Sequence, residues 1–76
     1  MNKILFFGSL RELTGTQEMM LENISDTDNL LKELLHRFPQ IRSCTFRTVI
    51  NQETIAQNTP IRQGDEIALL PPFSGG

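Results

Sequence analysis

Ser25-Asp26-Thr27-Asp28-Asn29-Leu30-Leu31-Lys32-Glu33-Leu34-Leu35-His36-Arg37-Phe38 is the stretch whose reading decides the fold. Leu30, Leu31, Leu34, Leu35 and Phe38 recur at helical spacing and line up a single apolar stripe. Ser25 or Asp26 caps the start, and Asp26 and Asp28 suit the positive end of the helix dipole. His36 and Arg37 suit the negative end, and Pro39 stops the helix. A helix with one apolar stripe must bury it against a second layer, and the flanking segments supply that layer.

Those segments read as strands. Lys3 to Phe7 is short, rich in β-formers and stopped by Gly8. Apolar residues on both of its faces predict an inner strand, or one whose second face meets a partner. Ser9 to Leu13 forms one helical turn, with Ser9 as cap and Gly15 as its end. Gln17 to Glu22 is a second strand, paired antiparallel with the first across this short connection.

Beyond the helix, Pro39 to Thr45 reads as a loop and Phe46 to Asn51 as a third strand. Asn51-Gln52-Glu53 turns the chain into a short return strand, Thr54 to Ala56. Asn58 to Asp65 is turn chemistry around Ile61, which plugs the core from a loop. Glu66 to Leu70 is the last strand, apolar on both faces and therefore central. One helix across one face of a mixed sheet is the two-layer α+β solution.

Seventy-six residues make one small domain. A chain of this size buries only about 60% of the surface its unfolded form exposes, which leaves little room for both a core and a substrate cavity. Seven basic and nine acidic residues give a net charge of −2 with no basic cluster, so nucleic-acid binding has no electrostatic footprint. Cys44 is the single cysteine, so no internal disulfide forms, which suits a reducing cytoplasm. It reads as a structural residue. His36, the single histidine, has no carboxylate or thiol at a metal-binding or catalytic spacing and reads as a surface residue. No apolar run reaches the ~20 residues of a membrane span. The expectation is a soluble, cytoplasmic protein without nucleic-acid or membrane partners.

The sequence shows no nucleophile–histidine arrangement, no paired carboxylates in an apolar setting, no metal-ligand cluster and no phosphate-cradling glycine loop. What remains is the ending, Pro71-Pro72-Phe73-Ser74-Gly75-Gly76. The diproline stiffens the exit from the last strand, since each ring fixes φ near −65°. Six extended residues reach about 20 Å, far enough to carry a carboxylate into a pocket of another protein. At neutral pH that carboxylate is ionised and a poor electrophile. Chemistry there requires activation by another protein, as a mixed anhydride with AMP, followed by attack of a sulfur or nitrogen nucleophile. Gly75 and Gly76 suit a tunnel that admits backbone alone and rejects any terminus bearing a side chain.

Together the residues resemble a known family. The head Ile4-Leu5-Phe6-Phe7-Gly8, the run Leu10-Arg11-Glu12-Leu13 with Gly15, Ile50-Asn51-Gln52, Gly64-Asp65-Glu66-Ile67, and the ending Leu70-Pro71-Pro72 with Ser74-Gly75-Gly76 are similar to MoaD, the small sulfur-carrying subunit of molybdopterin synthase. The resemblance spans essentially the whole chain. It implies a ubiquitin-like β-grasp fold over residues 1–70, a sheet of about five strands with one main helix, and an extended tail over 71–76. It implies that Gly76 is adenylated by an E1-like enzyme using ATP and Mg²⁺, and that a desulfurase or rhodanese-like donor then supplies sulfur to make a thiocarboxylate. That group is donated to a pterin precursor inside the large synthase subunit, in a heterotetramer with two large subunits. This chain would then be a non-catalytic sulfur-donor subunit, with no cofactor or metal of its own. Pro71, Pro72, Phe73 and Ser74 would line the large subunit's groove, and Phe7 and Arg11 would face that subunit. Three other readings share these features: a sulfur carrier for thiamine thiazole or tRNA thiolation, a ubiquitin-like modifier of lysines, and a binding module with an idle tail.

Overall fold

The computed structural model describes residues 1–71. In chain order, β1 (Asn2–Phe6), α1 (Ser9–Thr14), β2 (Glu18–Leu21) and α2 (Thr27–Arg37) are followed by a 3-10 turn (Pro39–Ser43), β3 (Arg47–Ile50), β4 (Glu53–Ile55) and β5 (Glu66–Leu70). The strands form one sheet in the order β2-β1-β5-β3-β4. β5 sits in the middle, parallel to β1 and antiparallel to β3, while β2 and β4 close the two edges antiparallel to their neighbours. This is the β-grasp arrangement that the resemblance implies, with the last strand central as its doubly apolar pattern requires.

The helix forms as its sequence dictates. Asp26 has an extended backbone, and its side chain accepts the Asn29 amide at 2.8 Å, satisfying one of the donors that a helix start leaves free. Leu30 and Leu34 are fully buried, in one cluster with Ile4 and Phe6 of β1, Ile50 of β3, and Ile67 and Leu69 of β5. Each such side chain contributes about 1.5–3 kcal/mol by leaving water. Phe38 closes the stripe, meeting Phe6 edge-to-face with ring centroids 6.0 Å apart.

The loop before β5 is stitched to the helix start. The Thr27 amide donates to the Thr59 carbonyl at 3.0 Å, and the Thr59 amide returns a bond to Thr27 Oγ1 at 2.9 Å. The Ile61 amide donates to the Ser25 carbonyl, which seats Ile61 in the core as expected. Asn2 is a buried polar residue whose Nδ2 donates to the Arg62 carbonyl at 2.7 Å and to the Asp65 carbonyl at 3.0 Å. It ties the start of β1 to the turn that launches β5.

Three local expectations need correction. Gly8, not Ser9, holds the cap position of α1; Ser9 is the first helical residue and makes no side-chain cap bond. The helix also runs on to Thr14, whose hydroxyl donates back to the Leu10 carbonyl at 2.9 Å, before Gly15 ends it in the left-handed region. The stretch after α2 is not an open loop. Pro39 has no amide to satisfy and a φ suited to a first helical turn, so it starts the 3-10 turn that buries Ile41.

Candidate functional site

The site is built where β1 and β5 end side by side. Their parallel register pairs Lys3 with Glu66, Ile4 with Ile67, Leu5 with Ala68 and Phe6 with Leu69. The ladder continues one step further, with the Phe7 amide donating to the Leu69 carbonyl at 3.1 Å. At that rim the two strands part. β1 turns away into α1, and β5 runs straight on through Leu70 to Pro71.

Alternation divides the residues between the two faces of the sheet. Ile4, Phe6, Ile67 and Leu69 point into the core. Leu5, Ala68 and Val49 share the opposite face in one row across β1, β5 and β3 and are half-buried. Leu70 continues that face toward the tail, and Phe7 beside it is 39% exposed. The result is an apolar strip on the helix-free face that ends at the root of the tail. Half-buried apolar side chains in one row, with the exposed Phe7 at its end, make this face a candidate interaction surface.

The turn between β1 and α1 shapes this rim. Gly8 has φ 59° and ψ −135°, and the Leu10 amide closes the turn on the Phe7 carbonyl at 3.2 Å. Those angles belong to the first central position of a type II′ turn, which only glycine adopts without strain. Arg11 follows on α1 and is exposed; its amide donates to the Gly8 carbonyl at 3.1 Å. A single turn thus carries Phe7 and Arg11 to the same rim as Pro71. Of the residues singled out from the sequence, Phe7, Arg11 and the half-buried Pro71 are brought together. Pro72, Phe73, Ser74, Gly75 and Gly76 lie outside the described residues.

The remaining candidates stand apart. His36 is exposed in the last turn of α2, and Cys44 is half-buried against the core. Among the described residues no cluster of three or more His, Cys, Asp or Glu could hold a metal ion, and no helix is long and apolar enough to cross a membrane. The role of Gly8 at the tail root was missed in the sequence, where it read only as a strand stop. The Phe7-Gly8-Ser9 run carried the signal, since a glycine between a strand and a helical turn is where a positive φ is needed.

The fold and this rim define a ubiquitin-like β-grasp domain whose last strand is central and leads directly into Pro71. A ThiS family profile matches residues 4–76, and the chain belongs to the ThiS family. Among its curated relatives is the molybdopterin synthase sulfur carrier subunit of Arabidopsis thaliana, 37% identical, with 97% of this chain and 81% of that protein covered. A solved structure of a molybdopterin converting factor subunit 1 from Pyrococcus furiosus matches with a TM-score of 0.81 at 18% identity, covering 93% of this chain and 95% of that one. The small archaeal modifier protein 1 of Methanosarcina acetivorans matches with a TM-score of 0.81 at 27% identity, covering 99% and 95%.

Proposed function

We propose that this chain is the sulfur carrier subunit of a molybdopterin synthase. The observation that carries the reading is the placement of the tail root: the central strand of a ThiS-family β-grasp delivers Pro71 to the end of a half-buried apolar strip, beside the exposed Phe7. Such a strip docks a larger protein, and a tail leaving a strand paired on both edges loses less freedom on insertion than one on a loose linker.

The chemistry is that of the Gly76 carboxylate. An E1-like partner supplies the ATP and Mg²⁺ site, and the carboxylate attacks the α-phosphate to give an acyl adenylate and pyrophosphate. The outer sulfur of a persulfide on a desulfurase or rhodanese-like donor displaces AMP to give an acyl disulfide, and attack of a second thiol on the donor's own sulfur then frees the thiocarboxylate and leaves a disulfide on the donor. The tail then enters the large subunit, lined there by Pro71, Pro72, Phe73, Ser74 and Gly75, and the sulfur passes to the pterin precursor for the dithiolene. Phe7 and Arg11 contact the large subunit. This chain's own contribution is to bind, to aim and to carry; the residues that catalyse each step belong to the partners.

Removal of Gly75 and Gly76 tests the proposal. The truncated chain folds and still binds the large subunit, but supports no dithiolene formation in a reconstituted assay; normal product formation would overturn it. Gly76→Ala gives the same separation in milder form, since one methyl obstructs a backbone-wide tunnel. The likeness to a small archaeal modifier protein favours a second reading, covalent attachment of Gly76 to lysines. Ladders on denaturing gels that vanish with the truncation would select it.

A further inference from the structure

Gly8 is held by more than its own turn. A Cβ built on it would lie 2.7 Å from Pro71 Cγ and 3.3 Å from Pro71 Cδ, the first far inside contact distance. The pyrrolidine ring therefore packs directly on the bare Cα of Gly8, in space that any other residue would fill. Gly15 and Gly64 also have positive φ, yet a Cβ at either would meet nothing within 4 Å. Those two serve backbone conformation alone. Gly8 serves conformation and contact together.

We infer that Gly8 is a positioning residue for the tail: its bare Cα in the turn Phe7-Gly8-Ser9 is the surface against which Pro71 is braced, and this contact sets the direction in which the chain leaves β5. This rests on the sulfur-carrier reading and deepens it. Pro71 contributes a φ fixed near −65°, and Gly8 contributes a rigid stop for the ring, so the exit is directed before any partner arrives. A brace of this kind lowers the ordering cost of tail insertion, whichever enzyme receives it. The contact joins two elements already held in register by the Phe7 amide on the Leu69 carbonyl.

A double-mutant cycle in the full chain tests this. Gly8→Ala, Pro71→Ala and the double variant are charged by the ATP-using partner at a temperature where circular dichroism shows each fully folded, and kcat/KM is read from pyrophosphate release. Tail misdirection predicts a loss of about tenfold for Gly8→Ala and about threefold for Pro71→Ala. The double variant loses less than the roughly thirtyfold product of the two, because deleting the ring removes what the new methyl strikes while the strain of a side chain at positive φ stays. Additive losses near thirtyfold would mean that strain in the turn is the whole effect, and the brace would be overturned. Should Gly8→Ala not fold, Pro71→Ala alone decides: kcat/KM falls at an unchanged unfolding midpoint, and an unchanged kcat/KM refutes the brace. If the unaltered chain is never charged, the sulfur-carrier reading fails and the inference falls with it. Normal charging with additive variants removes the brace alone.

Discussion

The Asn51 carboxamide fastens the start of the central strand to the neighbouring hairpin through Asp65: Asn51 Nδ2 donates to Asp65 Oδ1 at 2.9 Å, and Asn51 Oδ1 accepts the Glu66 amide at 2.9 Å. Asp65 uses its other oxygen to accept the Arg62 amide at 2.8 Å. Both residues sit at the far end of β5 from the tail. They fix the register of the strand on which the tail is mounted.

These bonds give the fold an acid-sensitive point. The Arg62 backbone amide first, then the Asn51 side chain and the Arg62 charge, hold the Asp65 carboxyl below its ordinary value of 3.8. The folded state therefore binds this proton less readily than the unfolded chain does. Its stabilising contribution is complete above that ordinary value and is lost as pH falls below it, through the depressed folded value. Urea unfolding across pH 2 to 6 should show an acid limb that is shallower in Asp65→Asn. An identical acid limb in the two proteins would remove Asp65 from the account.

The β3–β4 hairpin carries strain that can be relieved. Asn51 and Gln52 both have positive φ, 48° and 73°, the type I′ pattern that favours Asn-Gly. Gln52→Gly should stabilise the protein by about 0.5–1 kcal/mol, since a side chain in the left-handed region costs about 1–2 kcal/mol and glycine adds unfolded-state entropy. The shift in urea midpoint at constant slope measures it.

The helix stripe should behave as the centre of the core. Leu34 is fully buried, and Leu34→Ala should cost about 2–5 kcal/mol. In a domain this small, that is a large share of total stability. Thermal unfolding followed by circular dichroism would show a midpoint lowered by tens of degrees or a chain unfolded at room temperature.

Phe7 should separate binding from folding. At 39% exposure it contributes little to the core, so Phe7→Ala should change stability by under about 1 kcal/mol. At the rim of a docking face an aromatic anchor is worth about 2 kcal/mol or more, so affinity for the large subunit should fall roughly thirtyfold in calorimetric titration. Arg11→Ala should reduce affinity less, chiefly through the association rate and its salt dependence.

Most of the fold was legible because periodicity survives in short elements. The stripe from Leu30 to Phe38 announced α2, and doubly apolar Ile67 to Leu70 announced a central strand. The 3-10 turn was not legible: Pro39 stops an α-helix and starts a 3-10 turn by the same fixed φ, and only burial of Ile41 distinguishes the outcomes. Asn2 was equally silent, since its partners are the carbonyls of Arg62 and Asp65, sixty or more positions away. At the site, the motif residues Phe7 and Arg11 stood out. The close approach of Gly8 to Pro71 did not, because a contact across 63 residues leaves no mark on local pattern.

The most direct measurement is the mass of the C-terminal peptide, taken before and after incubation with ATP, the E1-like partner and a sulfur donor. The account predicts a gain equal to sulfur replacing one oxygen, confined to the peptide ending in Gly76 and absent from the truncated chain. A C-terminal peptide that keeps its oxygen, while dithiolene is still made in the same mixture, would contradict it.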